Sequence, residues 1–180
     1  TKKIWKGIKG NMKLIQPERK HEKIVMDFKQ KIIDANEQFC GVSGLERMDY
    51  GEWLQYLSNV LKKETCPEGI VPAYEMIYVD DDETKVYGMI NMRLELNDML
   101  LKFGGHIGYS VSPDERRKGY AKAMLSGALE FYKDEGYDKV LITCNKNNIA
   151  SQKTIESAGG ILENIVEDGD IFMKRYWIYL

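Results

Sequence analysis

The chain lacks most of the marks that assign a protein to a class at sight. Cysteine is scarce: Cys40, Cys66 and Cys144 are three in 180 residues, odd in number and widely spaced. They form no CxxC pair, no histidine stands at a zinc-site spacing, and no secretory hydrophobic segment precedes them, so a reducing, cytoplasmic setting is expected. Excess charge is also missing. Twenty-six basic against 28 acidic side chains leave a net charge of −2, so no general pull on a polyanion exists. Nucleic acid is therefore not expected as a partner, and any anion site must be local. No apolar run approaches the roughly 20 residues of a membrane helix, so a soluble protein without a membrane partner is expected. The acidic run at residues 80–83 has neither the alternating ligands nor the glycine of a calcium loop and reads as a solvated turn; no metal is expected. Internal repeats and low-complexity segments are absent as well.

What is present suits one packed domain: 43% apolar residues in a chain of this length can bury a sizeable core. The first eleven residues, TKKIWKGIKGN, are basic and aperiodic and are expected to be a cloning remnant or a loose arm, with the domain spanning 12–180. Ile24, Val25, Phe28, Ile32 and Ile33 recur at helical spacing over residues 17–36, with Pro17 suited to a first turn. Asp49 is a candidate N-cap for a second helix carrying Trp53, Leu54, Leu57, Val60 and Leu61 on one face. Residues 74–79 and 86–96 flank the acidic turn as an antiparallel hairpin. Residues 104–111, GGHIGYSV, predict a strand whose glycines signal a bulge or a close approach by another backbone. The strongest helical stripe is Ala121, Met124, Leu125, Ala128, Phe131 and Tyr132, closed by Gly136 as a left-handed cap. The apolar run at 139–144 then predicts a buried strand parallel to the one before the helix, which makes a βαβ unit. A short helix over 148–158 and two strands near 161–166 and 171–179 complete the reading.

The informative stretch is SPDERRKGYA, residues 112–121, where a strand turns into a helix beside Arg116, Arg117 and Lys118. A helix N-terminus carries unpaired N–H groups and partial positive charge, so three cations there oppose the dipole by about 0.3–1 kcal/mol each unless an anion compensates them. A solvated charge run balanced by Asp114 and Glu115 explains the same residues. Gly119 followed by the small Ala121 favours the anion reading, since both let a phosphate oxygen approach the amides. GxGxxG and GxxxxGK[ST] are absent, so nicotinamide and P-loop nucleotide sites lack their fingerprints.

Arg116-Arg117-Lys118-Gly119-Tyr120-Ala121 resembles the Q/R-x-x-G-x-G/A signature of the GNAT superfamily of N-acetyltransferases. HIGYSVSP before it, and Asn145 to Ser151 followed by Glu156 and Gly159 after it, extend the likeness over residues 12–180. The resemblance implies an α+β fold: a central mixed, mostly antiparallel twisted sheet of six to seven strands with four helices, splayed at an acetyl-CoA cleft. It implies acetyl-CoA as co-substrate, with amides from Arg117 to Ala121 on the pyrophosphate, Tyr109 and Val111 beside the pantetheine arm, and Asn148 and Ser151 bonding that arm. Helix capping is the alternative role for Asn148 and Ser151. The implied activity is direct acetyl transfer to a primary amine of a small-molecule or peptide acceptor. A non-catalytic acyl-CoA-binding module is the other reading.

Such chemistry needs a base for the ammonium and a donor for the charge that develops on the thioester oxygen. The backbone N–H of Val111 is the candidate oxyanion donor. Glu95, on the strand flanking the cleft, is the first candidate base and His106 the second, with a surface carboxylate and a packed core imidazole as their structural alternatives. Arg93 is a candidate for a substrate carboxylate. The family's usual tyrosine acid falls on Ile155, so Ser151, Tyr109 or solvent is left to protonate the thiol. Lys174 to Trp177 suits a half-buried final strand, with an acceptor rim or homodimer contact as the other reading.

Overall fold

Residues 4–6 and 11–180 are described by the structure, a computed structural model. Two short strands come first, β1 (Ile4–Lys6) and β2 (Met12–Ile15). Pro17 precedes a 3-10 turn, Arg19–His21, which leads into α1 (Glu22–Asp34), where Val25, Phe28 and Ile32 are buried. Asp49 caps α2 (Tyr50–Val60): its side chain accepts from the Glu52 amide at 2.8 Å, and Glu52 accepts from the Asp49 amide at 3.3 Å. The hairpin follows as β3 (Ala73–Asp80) and β4 (Val86–Arg93), then β5 (Ile107–Val111), α3 (Tyr120–Asp134), β6 (Lys139–Asn145) and α4 (Ile149–Ser157). β7 (Ile161–Asp168) and β8 (Ile171–Tyr179) end the chain.

All eight strands join one sheet in the order β1-β2-β3-β4-β5-β6-β8-β7, parallel only between β5 and β6. Seven are those of the expected fold; the eighth is β1, which lies in the stretch read as a loose arm and pairs Ile4–Lys6 with β2. The rest of that arm up to residue 10 lies outside the described residues. Helices cover both faces, so β3 and β4 bury side chains on each side and read as nearly unbroken apolar runs. Met76, Tyr78, Ile90, Ile107 and Ile142 meet Met124, Leu125 and Phe131 of α3 on one face. Ile77, Val79 and Met89 meet Phe28 of α1 and Trp53 of α2 on the other. No helix of the described residues is long and apolar enough to cross a membrane.

Two boundaries beside the β5–β6 opening differ from expectation, as does the start of α1, at Glu22 and not at Pro17. β4 stops at Arg93, three residues early, because the chain turns away to form a π-helical turn at Leu100–Gly104. β5 starts at Ile107, because Gly105 sits at φ +66° hard against β6, where a Cβ would lie 2.5 Å from the Leu141 carbonyl oxygen. The glycines thus do mark a close backbone approach, but just before the strand as well as in it.

Candidate active site

β5 and β6 share one register pair, Ile107 with Ile142, and then diverge. The opposite edge of β5 stays paired with β4 through Val111. The Arg93 amide donates to the His106 carbonyl at 2.8 Å and the Ser112 amide to the Tyr87 carbonyl at 2.9 Å, so Gly108 and Ser110 between them turn their backbone groups to β4, whereas the His106 amide turns to β6 and donates to the Leu141 carbonyl at 2.7 Å. Backbone direction alternates along an antiparallel strand. The N–H and C=O groups of Tyr109 and Val111 therefore face the opening between β5 and β6.

At the far end of β5 the chain makes the turn picked out from sequence. Ser112 is fully buried and its hydroxyl donates to Asp114, a 3-10 turn covers Pro113–Glu115, and Gly119 ends the turn at φ +84° as the N-cap of α3. Arg117 also has a left-handed backbone, φ +62°, which costs a non-glycine residue about 1–2 kcal/mol. Left-handed residues alternating with right-handed and extended ones turn successive amides toward one point, the geometry of an anion nest, and the N-terminus of α3 adds to it.

The three cations do not act together here. Arg116 is held by Glu37, one bond measuring 2.7 Å, and Lys118 pairs with Glu115 at 2.7 Å. Asp114 is clamped by Lys31 at 2.7 Å and Lys85 at 3.1 Å, and these bonds and the Ser112 hydroxyl hold its carboxyl far below the usual range. Much of the turn's charge is thus balanced internally, as the solvated-run reading expects. Arg117 is exposed and carries no ion pair among the described residues. The ring of Tyr120 packs between Tyr78 and Tyr87, centroids 5.7 and 5.2 Å away, so only its amide faces the turn.

Asn148 accepts from the Ser151 amide at 3.0 Å, so it is the N-cap of α4, and its side-chain N–H groups are what it has to offer a ligand. The Ser151 hydroxyl lies 2.8 Å from the Tyr109 hydroxyl, tying α4 to β5 across the opening. Burial raises the Tyr109 pKa, so this phenol carries its proton. Ile155 is fully buried, and a Cβ on Gly160 would come within 2.5 Å of its side chain; no proton donor occupies that position.

Neither expected base is placed for the task. Glu95 lies beyond the end of β4, half-exposed, and pairs with Lys63 at 2.9 Å. The strand that was to carry it toward the cleft has ended two residues earlier. His106 is buried, its Nδ1 accepts from the Leu141 amide at 2.9 Å, and its ring packs against Tyr132 and Tyr137. Burial lowers its pKa to about 4, so it is a neutral imidazole fastening β5 to β6. Arg93 donates from Nη1 to the carbonyls of Gly104 and Gly105 at 3.0 and 2.9 Å, closing the π-helical turn. Lys174 to Trp177 lies inside β8, paired with β6 on one side and β7 on the other; Tyr176 is in the core and Arg175 is bound to Glu163 and the Leu101 carbonyl.

The loop between α1 and α2 reaches the site without any warning from sequence. Glu37 holds Arg116, the Cys40 carbonyl accepts from Ser110 Oγ, and Gly41 packs on Gly108. Ser43 Oγ donates to Glu75 Oε2 at 2.6 Å, and Asn91 Nδ2 donates to Ser43 Oγ at 2.8 Å and to Glu75 Oε2 at 3.2 Å. The only usable signal was local: Glu75 and Asn91 are lone polar residues within the apolar runs AYEMIYV and GMINM.

The sequence profile of the Acetyltransferase (GNAT) domain matches residues 34–161. The uncharacterized N-acetyltransferase YjdG of Bacillus subtilis (strain 168) is 26% identical, covering 73% of each chain. The Salmonella typhimurium acetyl transferase that modifies the N-terminal serine of 50S ribosomal protein L7/L12 has a similar structure, with a TM-score of 0.70 at 15% identity over 99% of both chains. The microcin C7 self-immunity acetyltransferase MccE, solved with acetyl-CoA and AMP, has a TM-score of 0.69 at 16% identity over 96% of this chain and 94% of its own. At those identities the structures speak for the fold, whereas the profile covers well over half of the sequence. A sheet that opens between its two parallel strands and a domain profile that spans both of them lead to one conclusion: the chain belongs to the GNAT acetyltransferase family.

Proposed function

We propose that the protein moves an acetyl group from acetyl-CoA to a primary amine by direct transfer, with residues 12–180 acting as one domain. The observation that carries this reading is the edge of β5 opposite β4, where the backbone groups of Tyr109 and Val111 face an opening that β6 does not fill. An extended ligand with amide groups can add there like a strand. The turn at Arg117–Gly119 stands at the end of that edge and suits a diphosphate, so the residues present fit coenzyme A. MccE, a protein of like fold, was solved with acetyl-CoA.

Bound there, acetyl-CoA supplies an activated acetyl thioester. The Val111 N–H then meets the thioester oxygen and stabilises charge developing on it. Tyr109 Oη, protonated and hydrogen-bonded to Ser151 Oγ, is the proton donor for the departing thiol. The acceptor is a small-molecule or peptide amine, in keeping with the terminal serine modified by the Salmonella relative of the fold.

Free thiol released from acetyl-CoA, followed against spermidine, lysine methyl ester and peptides with serine or alanine termini, tests the proposal. Amine-dependent release is expected. Isoleucine at the position of the family's usual acid favours one other reading, a non-catalytic acyl-CoA-binding module. Tight acetyl-CoA binding without thiol release to any amine would establish that module instead.

A further inference from the structure

Glu75 is 3% exposed, and among the described residues no basic side chain pairs with it. Oε2 takes the bonds from Ser43 and Asn91, whereas Oε1 is buried with no hydrogen-bond partner among the described residues. Leaving a carboxyl oxygen so placed costs about 1–3 kcal/mol, a cost that calls for a reason. Glu75 also lines a cavity of about 130 Å³ between α2 and the end of β2, with Gln16, Pro17, Leu54, Leu57 and Leu61 among the other walls. That space has room for several water molecules.

The cluster is aligned with the cleft. Glu75 pairs in register with Asn91, and Asn91 with Gly108, so the three lie in one row across the sheet toward the opening beside β5. Ser43, the outer member, sits at φ +45°, a strained backbone for serine, two residues after the Gly41 that rests on Gly108. Strain of about 1–3 kcal/mol persists where the surroundings over-determine it, as at functional sites.

Resting on the amine-acetylation reading, we propose that Glu75 is the proton acceptor for the acceptor amine, reached through Ser43. The ammonium N–H breaks, Ser43 Oγ takes that proton as it passes its own to Glu75, and an O–H forms on the carboxylate. The freed nitrogen pair makes the amide C–N bond while the C–S bond breaks and its electrons leave on sulfur, which takes the Tyr109 proton; the second surplus N–H of the nitrogen then breaks and its proton restores Tyr109 Oη, so amide and thiol both leave neutral. One net proton then returns to solvent from Glu75 by way of the cavity. Glu75 is a positioning and proton-holding group, since Ser43 stands between it and the substrate.

The electrostatic surroundings suit the role. Burial pushes the carboxyl up to about 8, opposed by Ser43, Asn91 and the positive charge of Arg93 on β4. From α2 the only titratable neighbour is Tyr56, whose own pKa is raised, so it stays neutral. A group titrating near 8 both accepts a proton from an amine and releases it near neutral pH.

The test compares wild type, Glu75→Gln and Ser43→Ala, with the amines named above as probes. Expected for Glu75→Gln are acetyl-CoA affinity within twofold by calorimetry, kcat down by about 100-fold or more, and loss of the acidic limb of the kcat/KM profile. Ser43→Ala keeps the carboxyl and should lower kcat about 10-fold. A retained acidic limb, kcat/KM within threefold of wild type, or lost acetyl-CoA binding in Glu75→Gln overturns the proposal. A carbon-13 NMR titration needs no acceptor: the carboxyl resonance absent from Glu75→Gln should titrate near pH 8, and a midpoint below 5 overturns the proposal. If that carboxyl titrates near 8 yet wild type acetylates no probe, the amine-acetylation reading fails and not the assignment of Glu75.

Discussion

Gly41 rests on Gly108 backbone to backbone: a methyl group on Gly41 would lie 2.3 Å from the Gly108 carbonyl oxygen. This contact seats the loop after α1 against β5 and brings Ser43 over Glu75. Gly41 also has φ +64°, so any side chain there meets strain and collision together. Gly41→Ala should destabilise by about 2 kcal/mol or more, read from the urea midpoint. Gly108→Ala, whose methyl would lie 3.3 Å from the Gly41 Cα, should cost clearly less. Equal midpoints for the two variants would show that the loop is not seated this way.

Gly119 at φ +84° ends the turn before α3. Gly119→Glu puts a side chain into a left-handed backbone, at about 1 kcal/mol, and a carboxylate at the site proposed for a diphosphate. The variant should lose a few degrees in Tm and raise the acetyl-CoA Kd at least tenfold. Unchanged affinity by calorimetry would remove the diphosphate from this turn.

His106 should influence stability and leave the pH profile of catalysis alone. Its pKa is lowered from 6.5 to about 4, so its contribution is present above 6.5 and is lost as pH falls through 4, where the unfolded chain already holds the proton. His106→Asn offers an oxygen for the Leu141 amide and does not titrate. Its urea midpoint should fall less between pH 6.5 and 4 than that of wild type, and its kcat/KM profile should keep the wild-type limbs. A lost limb would restore His106 as a base.

Glu75 acts on stability with the opposite sign. A carboxyl raised from 4.5 to about 8 gives a contribution fully present below 4.5 and lost as pH rises through 8, because the folded state holds a proton the unfolded chain releases. Glu75→Gln removes that titration. Its midpoint relative to wild type should therefore climb from pH 5 to pH 9, and a constant difference would place the carboxyl in contact with solvent.

The elements from α1 onward and the glycine turn before α3 could be read directly, whereas the side chains proposed for catalysis could not. Helical spacing at Ala121, Met124, Leu125 and Ala128 and the cap at Gly136, φ +83°, are local facts, and α3 follows them closely. Glu95 misled because strand periodicity does not say where a strand stops; a turn closed by Arg93 ends β4 first. His106 had a core role and a catalytic one open to it from sequence, and the Leu141 amide on Nδ1 decides for the core. For Arg116 the sequence offered only the nearby Asp114 and Glu115 as counter-charges, because its actual partner Glu37 is 79 positions away in the chain.

Sequence alone settled the order of strands and helices from α1 onward, the glycine turn before α3 and the family likeness, since each depends on residues within a few positions of one another. Tertiary structure decided which backbone groups of β5 face the opening, that the loop after α1 closes over it, and that Ser43, Glu75 and Asn91 meet. Those are contacts between distant segments, governed by strand register, by two glycines small enough to touch, and by the cost of burying a carboxyl that one-dimensional spacing does not reveal.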